Sequence, residues 1–391
     1  MRKSAKIALV LGLFIPGIAS ANCGGNFSSF VGDLETEARS MGYSSSVTRG
    51  FFDGVAHDPK VIRADRAQGV FQLPFVDFAR RLISQHRIDH GKKNRAKYDA
   101  VFSRIKRDYG IDAGVLLAFW AFETDYGAFQ GDFNTLNALV TLAHDCRRPE
   151  LFRPQVFSAL ELYARGDFDP DTTTGAWAGE IGMVQMLPGD ILENGMDGDS
   201  DGQVSLKTSA PDALMSAAKM LSHLGWQANE PWIQEIPLPA DFDWSQTGRD
   251  TKKSVYQWAR LGAVPASGDW QNTRAEASII LPQGRKGPAF IAYPNFDVYF
   301  EWNQSFVYVT TAAYFATRLE GSPIFDSGDP DPGLEDADMK LLQRKLQARG
   351  HDVGKIDGIL GANTRRAVQY EQQRLGLPAD AWPTRELIGM L

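Results

Sequence analysis

Between residues 30 and 110, apolar residues recur three and four positions apart with charges between them, the period of helices packed by one face. "FVDFARRLISQHRI" (75–88) and "YDAVFSRIKRDYG" (98–110) show it most clearly. "IDAGVLLAFWAFETDYG" follows, with Asp112 placed to cap a helix and Gly127 to end it. "TLNALVTLAHD", "LFRPQVFSALELYARG" and "SAPDALMSAAKMLSHLGW" (209–226) predict further helices. After about residue 235 the pattern changes. "EASIILPQGRKGPAFIAYP" (276–294) sets two short β-prone runs around a Gly/Pro/Lys turn, which predicts a small hairpin. A last helix of the body spans 305–321. Then "SPIFDSGDPDPGLED" (322–336) has the composition of an exposed, flexible linker, and Asp336–Leu391 reads as a separate three-helix unit. The expected class is mainly α (α+β).

Composition changes this picture at the two ends. "MRKSAK", a short apolar run and "ASA" at 19–21 form a secretory signal peptide over 1–21. No later run is long and apolar enough to cross a bilayer. Loss of Arg2, Lys3 and Lys6 takes the formal charge from -7 to -10, so nucleic acid is not an expected partner. The tail differs, with nine Lys/Arg against seven Asp/Glu. Asn22 precedes Cys23, where a lipidated cysteine would follow a small residue. A soluble exported protein is therefore expected. Cys146 is the other cysteine, and one disulfide tying down the N-terminus is the simplest reading, two separate thiols the alternative.

Candidate chemistry begins at Glu123. On a helix it shares a stripe with Leu116, Phe119, Trp120 and Gly127. Aromatic desolvation, no partner on that face and a place in the last turn would all raise its pKa, as a general acid requires. The same pattern describes a glutamate at the edge of a core, and the residues alone favour that plainer reading. "GAWAGEIGMVQMLPGD" (175–190) has three glycines in eight residues and a second carboxylate, Glu180, which nothing in the spacing sets opposite Glu123. In "DGDSDGQV", Asp197, Asp199 and Asp201 stand at positions 1, 3 and 5 of an EF-hand-like loop. Gln203 is at position 7, and Thr208 stands where a glutamate belongs. Asp212 could substitute for that glutamate. Calcium and a metal-free acidic turn both stay open. The six histidines form no zinc motif.

These stretches together resemble the membrane-bound lytic murein transglycosylase B family, glycoside hydrolase family 103. The matching segments are "AFWAFETDYGAFQGDFNTLNALVTLAHDCRRPELF", "GAWAGEIGMVQMLP", "DGDSDGQVSL" and "YPNFDVYFEWNQSFVYVTTAAYFATRL", in the family's order over about residues 30 to 320. "LQRKLQARGHDVGKIDGILGANTRRAVQYEQQRLGL" is similar to the helical peptidoglycan-binding module. The resemblance implies a lysozyme-like helical domain over 22–325, a linker over 326–335 and a binding module over 336–391. It implies Glu123 as single acid/base, with Gln185, Asn303, Tyr308 and Tyr126 at the substrate. Arg147 and Arg148 would meet carboxylates of the stem peptide. Asp197, Asp199, Asp201, Gln203 and Asp212 would hold a structural Ca2+, and no cofactor would serve the chemistry. Ala176 departs from the family's serine near the acid, and the metal loop is about one residue longer before Asp212.

The implied activity is cleavage between N-acetylmuramic acid and N-acetylglucosamine with 1,6-anhydro ring closure, by a monomeric periplasmic enzyme acting on glycan strands. The resemblance also allows partners in wall remodelling and a place at the outer membrane. Lysozyme-type hydrolysis and a non-catalytic wall-binding protein are the competing readings.

Overall fold

The computed structural model describes residues 23–67 and 73–391; the expected signal peptide lies outside them. Among the described residues, seventeen α-helices against six short strands make the chain mainly α. The strands are β1 (Phe133–Asn134), β2 (Thr174–Gly175), β3 (Ile233–Glu235), β4 (Lys253–Ser254), β5 (Glu276–Ile280) and β6 (Phe290–Ala292).

Helix Ala113–Thr124 is the centre of the largest core. Ten of its twelve residues are buried, including Leu116, Leu117, Phe119 and Trp120. A helix apolar on every side belongs inside, so the single stripe read from the sequence was too narrow. Helix Phe306–Leu319 packs along it, and Gly114 allows the close approach: a Cβ there would lie 2.6 Å from the Ala316 carbonyl oxygen. Glu320 accepts the Gly114 N–H at 2.6 Å, where Asp112 makes no side-chain cap. The expected helix over 75–88 is two helices, Phe75–Leu82 and Gln85–Lys97, because Ser84 caps a new start by accepting the Arg87 N–H.

The predicted hairpin is β5 with β6, paired antiparallel with Ile279 opposite Ile291. It forms the middle of a four-stranded sheet ordered β3-β6-β5-β4. That sheet carries its own apolar cluster, with Trp258, Ile279 and Ile291 fully buried. Strands β3 and β4 escaped sequence reading because two or three residues hold no alternation to count. The tail is a third cluster, built on Leu342, Leu346 and Val368 from helices Asp336–Ala348 and Ala362–Arg374.

The segment between body and tail is not the free linker its composition suggested. Phe325 is buried in the main core. The Asp326 N–H donates to Glu235 at 2.8 Å and the Asp329 N–H to the Lys286 carbonyl at 3.0 Å. Lys286 pairs with Asp331, whose carbonyl accepts the Trp382 indole N–H at 3.0 Å. These hydrogen bonds, with Phe325 as the buried anchor, hold the segment despite its prolines and glycines. Cys23 and Cys146 form a disulfide across 123 residues, and the Gly24 N–H donates beside it to the His144 carbonyl at 2.8 Å.

Candidate active site

Glu123 sits in the last turn of helix Ala113–Thr124, which ends three residues before Gly127. Asp125 takes the left-handed conformation (φ 51°), followed by Tyr126 (φ 61°) and Gly127 (φ 89°). Three such residues in a row reverse the chain sharply and leave Glu123 at the lip of the helix. Backbone this restricted needs support from its neighbours. Arg87 supplies some, donating to Asp125 Oδ1 at 2.9 Å and stacking over Phe122. Thr124 ties the turn to the next wall by donating to the Met183 carbonyl at 2.6 Å.

The half-buried Glu123 carboxyl has partners from other elements, contrary to the lone-carboxylate reading. The Tyr308 hydroxyl donates to Oε1 at 2.5 Å and the Trp302 indole N–H donates to the same oxygen at 3.1 Å. Trp302 stacks on Phe119 at 4.4 Å, so its donor is held in place from within helix Ala113–Thr124. Burial is the largest influence and pushes the Glu123 pKa up to about 7. The two donors oppose that rise, and the negative charge of Glu180 adds to it. Burial also raises Tyr308 well above the usual tyrosine range, helped by the Glu123 charge, so the phenol remains a donor.

The second wall is the loop from Gly175 to Leu187. The Ala176 N–H donates to the Glu180 carbonyl at 2.9 Å, and Ile181 bridges Met186, which closes the loop on itself. Gly131 lets the catalytic-helix turn touch this loop, since a Cβ there would lie 2.1 Å from the Gly175 oxygen. Gln185 is left-handed (φ 54°) and donates to the Gly182 carbonyl at 2.7 Å. Glu180 is raised by burial, partly offset by backbone donors and the Arg148 charge, and its Oε2 accepts no hydrogen bond from the described residues.

Asn303 accepts the Ser305 N–H at 2.9 Å and so builds the cap of helix Phe306–Leu319, which delivers Tyr308. Tyr126 was expected at the substrate. Its hydroxyl instead donates to the Arg87 carbonyl at 2.8 Å and its ring meets Trp120 edge-on, which makes it a brace of the turn. Arg147 and Arg148 were expected to face the substrate; both are engaged by Asp65, which is 1% exposed. Arg147 also donates to the Asp65 carbonyl at 2.6 Å. A buried carboxylate requires such partners, and no motif or spacing marks Asp65 as one. Trp302 was missed as well, though it directly precedes Asn303 in the quoted motif.

In the acidic loop, carboxylate oxygens of Asp197, Asp199 and Asp212 lie within 4.8 Å of one another. Asp201 falls outside this group, and its Oδ1 accepts the Gln203 N–H at 2.9 Å. Asp212 is fully buried and accepts the Gly198 and Ser205 N–H groups at 2.8 and 2.7 Å. Three carboxylates so close repel one another unless a cation lies among them, and an all-oxygen set suits calcium.

The sequence pattern of the family described as "Transglycosylase SLT domain" matches residues 26–317, and that of "Putative peptidoglycan binding domain" matches 335–391. The chain belongs to the transglycosylase SLT family. It is 25% identical over 234 residues to membrane-bound lytic murein transglycosylase B of Escherichia coli (strain K12), a match covering 58% of this chain and 62% of that protein. A crystal structure of SltB3 from Pseudomonas aeruginosa in complex with NAG-anhNAM-pentapeptide superposes with a TM-score of 0.86 at 33% identity, covering 94% of this chain and 99% of that one. Escherichia coli Slt35 in complex with calcium shares the fold, with a TM-score of 0.65 at 21% identity over 76% of this chain and 95% of its own.

Proposed function

We propose that this chain is a lytic transglycosylase that cleaves the β-1,4 bond between N-acetylmuramic acid and N-acetylglucosamine in peptidoglycan. The observation that carries the reading is Glu123, held near neutrality by burial while two donors fix its Oε1. SltB3 carries a disaccharide-pentapeptide product in the corresponding fold, which supports the substrate class.

Neutral Glu123 protonates the glycosidic oxygen and the bond to the anomeric carbon breaks. The substrate's acetamido carbonyl stabilises the cation that develops. Glu123, now a carboxylate, takes the proton of the C6 hydroxyl, whose oxygen closes the 1,6-anhydro ring. The proton that Glu123 gives to the leaving oxygen is replaced by the C6 hydroxyl proton, and no water is consumed. A pKa near 7 suits both roles, since the acid and its conjugate base are each accessible at neutral pH. Tyr308 and Trp302 aim the carboxyl and stabilise its charged form between the steps. Gln185 and Asn303 would contact the substrate. Arg147 and Arg148 reach stem-peptide carboxylates only with guanidinium nitrogens left over from Asp65. The chemistry needs no cofactor. Calcium, held by Asp197, Asp199 and Asp212, would supply cross-linking of the loop to helix Ala210–His223. The enzyme acts as an exported, periplasmic monomer on glycan strands, and the C-terminal module holds it to the polymer.

Glu180 favours one second reading. A carboxylate with one oxygen unpartnered, whose charge reaches Glu123, is what an inverting hydrolase would use to activate water. Mass spectrometry of fragments from purified peptidoglycan separates the two. Anhydro-muropeptides, one water lighter, are the expected product; hydrated reducing ends would replace this reading with hydrolysis, and no release would leave a binding protein.

A further inference from the structure

The C-terminal module does more than lie beside the body: one of its side chains reaches the helix that serves the catalytic acid. Arg365, on helix Ala362–Arg374, sets its guanidinium 4.5 Å from the ring centre of Phe306 and 5.8 Å from that of Trp382. Its nitrogens donate to the Pro282 carbonyl at 2.8 Å and the Leu281 carbonyl at 3.5 Å, just beyond β5. Burial lowers its pKa only to about 10, with Asp380 opposing the fall, so it keeps its charge at neutral pH. The cation is thus clamped by the sheet on one side and covers an aromatic face on the other.

Phe306 is the first residue of helix Phe306–Leu319, and Tyr308 is the third. Within the body that turn is packed by Phe300, whose ring lies 6.1 Å from that of Phe306, and by Phe122, 5.9 Å from that of Tyr308. A cavity of about 310 Å³ runs along the seam, lined by Phe300, Gln304, Phe306, Arg365 and Trp382. Asn303 and Ser305 cap the turn from within the same segment. The module adds an anchor on the opposite side of the turn, because the module is itself fixed. Gln369 donates to the Trp244 and Thr247 carbonyls at 3.2 and 3.0 Å, and Asp380 accepts the Arg285 N–H at 3.0 Å.

We propose that Arg365 is a positioning residue of the catalytic site, holding the first turn of helix Phe306–Leu319 so that the Tyr308 hydroxyl stays on Glu123. The inference rests on Glu123 being the catalytic acid. It makes the wall-binding module a structural part of the catalytic unit, beyond its service as an anchor. The sign of the effect follows from the site. Tyr308 donation opposes the rise in the Glu123 pKa, so a loosened Tyr308 lets that pKa climb and weakens Glu123 as the acid that protonates the glycosidic oxygen. The other groups acting there are the Trp302 donor, the Glu180 charge, and Arg87, which acts on Tyr308.

The test is a double-mutant cycle in the full-length chain, with Arg365→Met, Tyr308→Phe and the pair, assayed on soluble glycan strands across pH. Arg365→Met is expected to lower kcat about tenfold with KM within about twofold, the scale of a small displacement at a reacting group. The alkaline limb of its pH profile moves upward, as in Tyr308→Phe, and in the pair Arg365→Met adds less than about twofold. Additive losses, an effect confined to KM, or an unchanged profile would overturn the proposal. If Arg365→Met unfolds the module, Phe306→Leu removes the stacking partner from the other side of the seam. That variant should reproduce the fall in kcat, and wild-type kcat in it overturns the proposal. Failure of the broader reading is distinct: there, Glu123→Gln would stay active whatever Arg365 does.

Discussion

Glu123 and Asp197 are both carboxylates in motif-rich turns, and their surroundings drive them in opposite directions. Asp197 stands in an open loop and accepts the Gly202, Ser200 and Asp201 N–H groups, led by Gly202 at 2.9 Å. Those donors hold it below the usual carboxylate range. Glu123 also has two donors, yet burial among Phe119, Phe122 and Trp302 outweighs them and raises it to about 7. Backbone donors without burial make a permanent anion, fit for a cation. Donors with burial make a group that exchanges its proton near neutrality, fit for catalysis. Desolvation, not the count of hydrogen bonds, decides between the two.

The comparison breaks most directly at Glu123→Gln. Loss of the acid/base should reduce release of fragments from purified peptidoglycan by about 10³-fold or more; retained activity would remove Glu123 from the mechanism. The same variant tests the pKa. Wild-type activity should fall as pH rises above about 7, because the acid form is lost. A folded pKa raised above the unfolded value favours the fold below pH 4.5, and that advantage is lost as pH rises through about 7. Glu123→Gln should therefore melt with the wild type at pH 4 and above it at pH 8. Equal melting at both would mean that Glu123 is not desolvated.

How much of this was legible in the sequence differs between the two sites as well. The acidic loop is local, so its spacing named Asp197, Asp199 and Asp201 with Asp212 as a substitute, and the carboxylates of Asp197, Asp199 and Asp212 lie together. Asp201 lies outside that group and accepts the Gln203 N–H, a placement that spacing does not reveal. Glu123 was found through its aromatic neighbours, but the partners that define its chemistry, Trp302 and Tyr308, lie about 180 residues on. No periodicity reports such a contact. Long helices and the hairpin were readable because they repeat a period over many residues. The fixed linker was not, since Pro, Gly and Asp describe local conformation while Lys286, Glu235 and Trp382 decide whether it is held. Asp65 was missed for the same reason: a lone aspartate on a helix carries no sign that two arginines will enclose it.

Two stability effects rank next. The Cys23–Cys146 disulfide closes a 123-residue separation beside the Asp65–Arg147–Arg148 group. Cys23→Ser with Cys146→Ser should cost about 3–4 kcal/mol, seen as a lower denaturation midpoint, and an unchanged midpoint would make the link incidental. Calcium at about one hundred times its dissociation constant should add about 2.7 kcal/mol, read as a rise in Tm that chelator reverses. Asp212→Asn should abolish the calcium-dependent rise while leaving product identity unchanged. A Tm indifferent to calcium would leave the loop a metal-free acidic turn, and the contrast with Glu123 would then rest on backbone donors alone.

The smallest effect is the most discriminating. Trp302→Phe keeps an aromatic ring against Phe119 and removes the N–H that reaches Glu123. If desolvation governs Glu123 and the donors only aim it, the variant should lose about tenfold or less in kcat, near the 1–1.5 kcal/mol of one hydrogen bond. The alkaline limb of its pH profile should shift upward, because one opposing donor is gone while burial persists. A downward shift would mean that water entered where the indole had been. In that case the aromatic packing, rather than the donor, is what keeps Glu123 protonated, and its difference from Asp197 lies in the shape of the pocket.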